Sequence, residues 1–121
     1  MNHTIKEANL KKKLVELLFS LKSSFVVVEG KHDLYTLNKI GIKAHTYESV
    51  MRSKTLPSNE VILLFDNDKR GKEREEQLSS FLSCENIKIN NSTGKLLLKI
   101  LNTVHVEGII TPIERIFENV I

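Results

Sequence analysis

Residues 61–71 have the sequence VILLFDNDKRG, in which five consecutive apolar residues end abruptly at an acidic, glycine-containing segment. A short apolar run rich in β-branched residues is typical of a strand that is covered on both faces, as in a parallel sheet. Residues 25–33, FVVVEGKHD, repeat this design on a smaller scale. The two stretches therefore predict two buried strands, each followed at its carboxyl end by acidic side chains.

Helical patterns lie between and around these strands. Leucines at helical spacing predict a helix over about residues 4–22. Apolar stripes predict further helices after Asp33, after Gly71 as far as about Ser83, and over about residues 93–121. The remaining predicted elements are short strands at 42–47 and 87–89 and a last helix with Thr111 as its N-cap and Pro112 in its first position.

The alternation of strands and helices indicates the fold class. Such chains form open, largely parallel sheets, because each connection between parallel strands packs a helix onto the sheet. We predict one α/β domain over residues 1–121, a Rossmann-like open sheet of about four mainly parallel strands flanked by helices, with its core at about 24–90. Ligands of such sheets bind beyond the carboxyl ends of the strands, where both acidic segments lie.

Four carboxylates are candidates for a cation site. Glu29 and Asp33 follow the first buried strand, whereas Asp66 and Asp68 follow the second. If the two strands are neighbours, these side chains converge, and a cation is needed to offset their repulsion. Residues two apart on an extended chain point the same way, so Asp66 and Asp68 can reach one ion. Oxygen ligands suit Mg²⁺, for which Mn²⁺ can substitute.

At these residues the sequence resembles the Toprim domain, which is found in topoisomerases, bacterial primases, overcoming-lysogenization-defect nucleases and the bacterial maturase of 5S ribosomal RNA. The resemblance consists of an E-G-x-x-D motif at Glu29, a D-x-D-x-x-G motif at Asp66, the strand before each motif and the spacing between them, over roughly residues 24–90. The whole chain looks closest to the small stand-alone archaeal Toprim proteins, because a helix precedes the domain and a final helix follows a Val106-Glu107 segment.

The resemblance implies a function and a role for each acidic residue. Glu29, Asp66 and Asp68 would bind Mg²⁺, and Glu29 would also act as general acid or base in phosphoryl transfer. Asp33 would have a structural role, or would contact the metal ligands without binding the metal ion itself. The implied activity is Mg²⁺-dependent phosphodiester chemistry on nucleic acid, by a small nuclease that favours RNA slightly over DNA by analogy with the 5S maturase. The alternative is a non-catalytic module that binds metal and nucleic acid within a larger processing assembly.

Glycines and basic residues beside the acidic segments complete the predicted site. Gly30 and Gly71 let the backbone turn tightly and leave room for a phosphate. Basic side chains near the same edge of the sheet are expected to hold flanking phosphates. These residues are Lys31, Lys69, Arg70 and Lys95.

Length and composition exclude several classes of protein. A chain of 121 residues leaves no room for the tyrosine domain of a topoisomerase or the extra domains of a primase. One cysteine, Cys84, rules out an internal disulfide and a cysteine-rich zinc module. A net charge of +3 is too modest to establish a nucleic-acid partner. With neither a signal peptide nor an apolar run of membrane-spanning length, we expect a cytoplasmic protein.

Three other classes of protein with acidic sites fit these residues less well than the Toprim domain does. A calcium EF-hand would need an oxygen ligand at Arg70 and a glutamate at Gln77. A receiver domain usually has an acidic pair after its first strand and a lone Asp after its third; it would predict phosphorylation of Asp66. A haloacid dehalogenase phosphatase normally has D-x-D on its first strand, followed by Thr or Val where this chain has Lys69.

The remaining notable residues have structural interpretations. The basic run Lys11–Lys13 is expected to be a solvated helix face, and Cys84 a buried or half-buried side chain. Among the four histidines only His32 is expected near the acidic site. The apolar stripe of the last helix should pack in the core, with a homodimer contact as the alternative; its members are Ile113, Ile116, Phe117 and Val120.

Overall fold

A computed structural model describes residues 2–53 and 56–118 of the chain. Helices and strands alternate through the four strands, as the sequence predicts. The helices are α1 (Asn2–Lys22), α2 (Lys31–Lys39), α3 (Tyr47–Arg52), α4 (Lys69–Cys84), α5 (Ser92–Ile100) and α6 (Ile110–Glu118), with a 3₁₀ turn at Val106–Gly108. The strands are β1 (Phe25–Val28), β2 (Ala44–Thr46), β3 (Glu60–Leu63) and β4 (Lys88–Asn90).

The four strands form one parallel sheet in the order β2-β1-β3-β4, which confirms the predicted α/β fold class. β1 and β3 are the two inner strands of the sheet. β2 pairs with the other side of β1, and β4 with the other side of β3. The chain therefore reverses its direction of winding between β1 and β3. This position is the topological switch point, where ligands of open α/β sheets bind.

Both faces of the sheet are covered, because successive side chains of a strand point to opposite faces. Val26 and Val28 of β1 pack with buried residues of α1, α2, α5 and α6, whereas Val27 packs with those of α3 and α4. β3 contributes to the two cores in the same alternating way, through Ile62 on the first face and Leu63 on the second. Burial on both faces explains why these strands read as unbroken apolar runs.

The ends of several elements differ from the prediction. β3 ends at Leu63, and the buried Leu64 and Phe65 continue the chain outside the strand. α6 begins at Ile110, so Thr111 and Pro112 lie inside its first turn and the predicted N-cap is wrong. Proline is tolerated in the first turn because the first amide groups of a helix have no partner within it.

The apolar and basic side chains assigned structural roles are located as follows. Cys84 is exposed, contrary to the prediction, because it ends α4 beyond the buried Leu82. In α6, Ile113 is buried and Ile116 and Phe117 pack against the same core, whereas Val120 lies outside the described residues. None of the helices in the described part of the chain is both long and apolar enough to cross a membrane.

Candidate metal centre at the switch point

The carboxyl ends of β1 and β3 bring Glu29 and Asp66 into direct contact. Val27 and Leu63 are partners in the two neighbouring strands, and the amide of Leu64 donates to the carbonyl oxygen of Val27 at 2.9 Å. Just beyond, Oε1 of Glu29 accepts a hydrogen bond of 2.8 Å from the backbone amide of Asp66. The two acidic segments therefore meet at one edge of the sheet.

Asp68, the second member of the D-x-D pair, also begins α4. Its backbone is extended and its Oδ1 accepts a 2.8 Å hydrogen bond from the amide of Gly71, which makes it the N-cap. A side chain at Gly71 would overlap the carbonyl oxygen of Asp66 and would lie 3.0 Å from Oε1 of Glu29. Glycine at this position thus lets the first turn of α4 pack directly on the site.

His105 lies in this cluster although no sequence pattern indicated it. Its Nδ1 is 3.2 Å from Oδ2 of Asp66 and 3.9 Å from Oδ2 of Asp68. The prediction that only His32 lies near the site is therefore wrong. His105 is separated from Asp66 by 39 positions, so no local spacing could reveal the pair. The hydrogen bond and negative charge of Asp66 raise the pKa of His105.

The segment that carries His105 is joined to the D-x-D segment by the backbone. The amide of Val106 donates to Oδ1 of Asp66 at 2.8 Å, and the amide of Asn67 donates to the carbonyl oxygen of Val104 at 2.8 Å. Val106 itself is fully buried. These contacts leave Oδ2 of Asp66 facing the imidazole and fix the position of the segment.

Asp33 is buried in the first turn of α2. It is 7% exposed, and its Oδ2 accepts a 3.3 Å hydrogen bond from the amide of Gly30. Burial raises the pKa of Asp33 to about 6, and the negative charge of Asp66 adds to the rise. The hydrogen bond closes the turn after β1.

Charge in the cluster is poorly balanced by the protein. Burial raises the pKa of Glu29, against the hydrogen bond from the Asp66 amide. The charges of Asp66 and Asp68 raise this pKa further, and the more distant charge of Arg74 lowers it. Within residues 2–53 and 56–118, no lysine or arginine lies within 4 Å of the carboxylates of Glu29, Asp33, Asp66 or Asp68. Ligand atoms of Asp66, Asp68 and His105 all lie within 4.8 Å of one another and could hold a metal ion.

The four predicted phosphate-binding residues occupy the first turns of three helices. Lys31 begins α2, and Lys69 and Arg70 begin α4; all three are exposed. Lys95 lies in the first turn of α5 and is held differently. Its Nζ is 3.7 Å from Oε1 of Glu75, a buried oxygen for which the structure shows no hydrogen-bond partner.

Two features place Lys95 next to the cluster, and neither was predicted. At Gly94 a Cβ atom would lie 2.6 Å from the carbonyl oxygen of Leu63, so glycine lets α5 start against the end of β3. A small cavity of about 10 Å³ then separates α4 from α5. Its lining includes Asp66, Lys72, Glu75 and Lys95.

Comparisons with known proteins support the fold. No protein-family model matches the sequence, and no curated protein matches it. The chain is similar to a solved structure of a protein from Aquifex aeolicus, whose name states no activity. The two share 28% sequence identity with a TM-score of 0.64, over 77% of this chain and 94% of the Aquifex protein.

Proposed function

We propose that this protein is a Toprim-type enzyme that cleaves phosphodiester bonds of nucleic acid with Mg²⁺, or Mn²⁺ in its place. One observation carries the proposal: the carboxylates of Asp66 and Asp68 meet at the switch point, beside the Glu29 carboxylate that accepts a hydrogen bond from the Asp66 amide. In the described residues no lysine or arginine lies within 4 Å of these carboxylates. Such a group is stabilised by a bound cation, because neutralisation removes the repulsion between the carboxylates. The oxygen donors fit Mg²⁺, which is usually held by one or two carboxylates and substrate phosphates.

Asp66 and Asp68 are the residues that would hold the cation. Both lie at the edge of the sheet and are partly accessible to solvent. When bound there, a divalent cation supplies positive charge that offsets the negative charge developing on a phosphate oxygen. The hydrogen bonds from Val106 to Asp66 and from Gly71 to Asp68 each occupy one carboxylate oxygen. The other oxygen of each carboxylate, Oδ2, faces the imidazole of His105, at 3.2 Å from Asp66 and 3.9 Å from Asp68.

Glu29 is suited to proton transfer in this reaction. Burial is the largest cause of its raised pKa, and a carboxyl group whose pKa lies above its ordinary value accepts a proton more readily. Oε1 is bound to the Asp66 amide, which fixes the side chain, and Oε2 would take a proton from an attacking water. Glu29 lies outside the group of close ligand atoms formed by Asp66, Asp68 and His105, so its proposed role is proton transfer and not direct ligation. Lys31, Lys69 and Arg70, exposed around the cluster, would contact the flanking phosphates.

The activity is tested with end-labelled RNA and DNA strands and duplexes, incubated with the protein and Mg²⁺, Mn²⁺ or a chelator. We expect cation-dependent cleavage by the wild type and a loss of at least about 100-fold in Asp68→Asn. Asparagine caps helices as well as aspartate, so this variant keeps the start of α4. Glu60→Gln, at the opposite end of β3, is the matched control and should cleave normally.

Unchanged cleavage by Asp68→Asn would refute the proposal. Cation-dependent binding of RNA or DNA without any turnover would instead support the non-catalytic module, because the same carboxylates would then serve only to hold a phosphate through the cation. The substrate panel also decides between RNA and DNA, for which analogy with the 5S maturase slightly favours RNA.

A further inference from the structure

We propose that His105 is a nitrogen ligand of the same cation site, so that the site prefers a divalent transition-metal ion such as Mn²⁺ to Mg²⁺. This inference rests on the proposed metal site and specifies its cation. His105 belongs to neither the E-G-x-x-D nor the D-x-D-x-x-G motif. It lies in the site only because residues 103–106 fold back onto Asp66.

The distances around His105 suit direct ligation. Two ligand atoms bound side by side to one ion, with bonds of about 2.1 Å, lie about 3.0 Å apart in octahedral geometry. Nδ1 of His105 is 3.2 Å from Oδ2 of Asp66 and 3.9 Å from Oδ2 of Asp68. The exposed imidazole would have to approach Asp68 by about 1 Å to reach that spacing, and the three ligand atoms already lie within 4.8 Å of one another.

His105 holds this position through contacts that do not involve its ring. The hydroxyl of Thr103 lies 3.2 Å from the carbonyl oxygen of His105, to which it donates, and 3.3 Å from the amide of His105. On the other side, Val106 is buried and donates its amide to Asp66. The backbone thus presents the imidazole to the two carboxylates, and removing the ring leaves these bonds in place.

The chemistry of the ligands then determines the preferred ion. Mg²⁺ favours oxygen ligands and keeps several waters, whereas imidazole nitrogen adds affinity for divalent ions of the first transition series. A site of two carboxylates and one imidazole should therefore discriminate against Mg²⁺ more strongly than the carboxylates alone. The opposite role for His105, a cationic partner that neutralises Asp66, would make it a competitor of the metal ion.

The two roles predict effects of opposite sign, which binding of Mn²⁺ to the purified full chain can measure without substrate. Affinity for Mn²⁺ comes from the free-ion electron paramagnetic resonance signal, and affinity for Mg²⁺ from competition. If His105 is a ligand, His105→Ala lowers Mn²⁺ affinity by about 10-fold or more and changes Mg²⁺ affinity much less. His32→Ala, an exposed histidine outside the ligand group, is the matched control.

Electron spin echo spectroscopy of bound Mn²⁺ gives an independent readout. Modulation from an imidazole ¹⁴N nucleus should be present in the wild type and in His32→Ala and absent in His105→Ala. Unchanged or higher Mn²⁺ affinity in His105→Ala, with no ¹⁴N modulation in the wild type, overturns the inference. If that Mn²⁺ binding is still lost in Asp66→Asn/Asp68→Asn, the metal site of the proposed function survives; a wild type that binds no Mn²⁺ removes both.

Discussion

The backbone amide of Asp66 donates a hydrogen bond of 2.8 Å to Oε1 of Glu29, so the ends of two neighbouring strands are joined through the candidate site itself. The contact orients the Glu29 carboxylate and satisfies an amide that lies beyond the last ladder bond of β3. Substitutions around this contact should therefore affect both the fold and the binding of a cation.

Gly71 should be intolerant of a side chain. In Gly71→Ala the added methyl group would overlap the carbonyl oxygen of Asp66 and crowd Oε1 of Glu29. We expect a loss of about 1–3 kcal/mol in the free energy of unfolding, although alanine is the better helix former. Gly30→Ala is the control: its Cβ would meet nothing within 4 Å, and we expect a loss below about 1 kcal/mol. Urea denaturation measures both, and equal losses would contradict the argument.

The pair of Glu75 and Lys95 should respond asymmetrically to mutation. Lys95→Met leaves the buried carboxylate of Glu75 without its cationic neighbour, at an expected cost of about 1–3 kcal/mol. Glu75→Gln removes the buried charge, while the half-exposed ammonium of Lys95 remains hydrated, so its cost should stay below about 1 kcal/mol. Urea denaturation of the two single variants and the double variant measures these costs. A larger loss of unfolding free energy in Glu75→Gln than in Lys95→Met would contradict the prediction.

Asp33 should make stability depend on pH in the acid range. Its pKa is about 6 in the folded protein against 3.8 as the ordinary value, so the folded state binds the proton more tightly. Protonated Asp33 therefore stabilises the folded protein fully below pH 3.8, and this stabilisation is lost as the pH rises through 6. Asp33→Asn should therefore be more stable than the wild type at pH 7, by about 1 kcal/mol after screening by solvent, and equal to it near pH 4.

Denaturation of the two proteins at a series of pH values, with a chelator present, measures this difference. In Asp33→Asn the oxygen of the new amide side chain can still accept a hydrogen bond from the Gly30 amide, so the comparison isolates the charge. A stability difference that stays constant from pH 4 to pH 7 would show that Asp33 titrates normally.

Lys69 and Arg70 should contribute to nucleic-acid binding through phosphate contacts. For Lys69→Gln/Arg70→Gln we expect weaker binding of every nucleic-acid sequence. The binding constant should also fall less steeply with salt concentration, by an amount that corresponds to the loss of up to about two phosphate contacts. Lys12→Gln/Lys13→Gln removes the same charge from the exposed face of α1 and serves as the control. Equal weakening in the two double variants would indicate attraction by net charge alone. Fluorescence anisotropy with labelled RNA at several salt concentrations provides the measurement.

The parts of the fold that depend on local sequence were predictable. Residues 25–28 and 61–63 are apolar throughout and lie in the two inner strands, so the parallel sheet and the meeting of Glu29 with Asp66 followed. His105 escaped prediction because its partner is 39 positions away and the fold of the segment after α5 decides the contact. Gly94 was missed for the same reason, since its tight packing against Leu63 has no local signal.

Helix ends were harder to predict than helices. Thr111 and Pro112 form a good local start signal, yet α6 begins at Ile110. Val106 of the preceding 3₁₀ turn and the following Ile109 are already buried in the core at that point. Tertiary packing thus overrode the local preference. Cys84 illustrates the same limit, because its exposure depends on where α4 ends.

The central claim is that the carboxylates at the β1–β3 switch point form a cation site. The most direct measurement is a Mn²⁺ titration of the wild type and of Asp66→Asn/Asp68→Asn, with urea denaturation to show that the variant is folded. Both substitutions can keep the hydrogen bonds that Asp66 accepts from Val106 and Asp68 from Gly71. We predict binding by the wild type that is lost in the double variant. Equal binding by both proteins, or none by either, would contradict the claim.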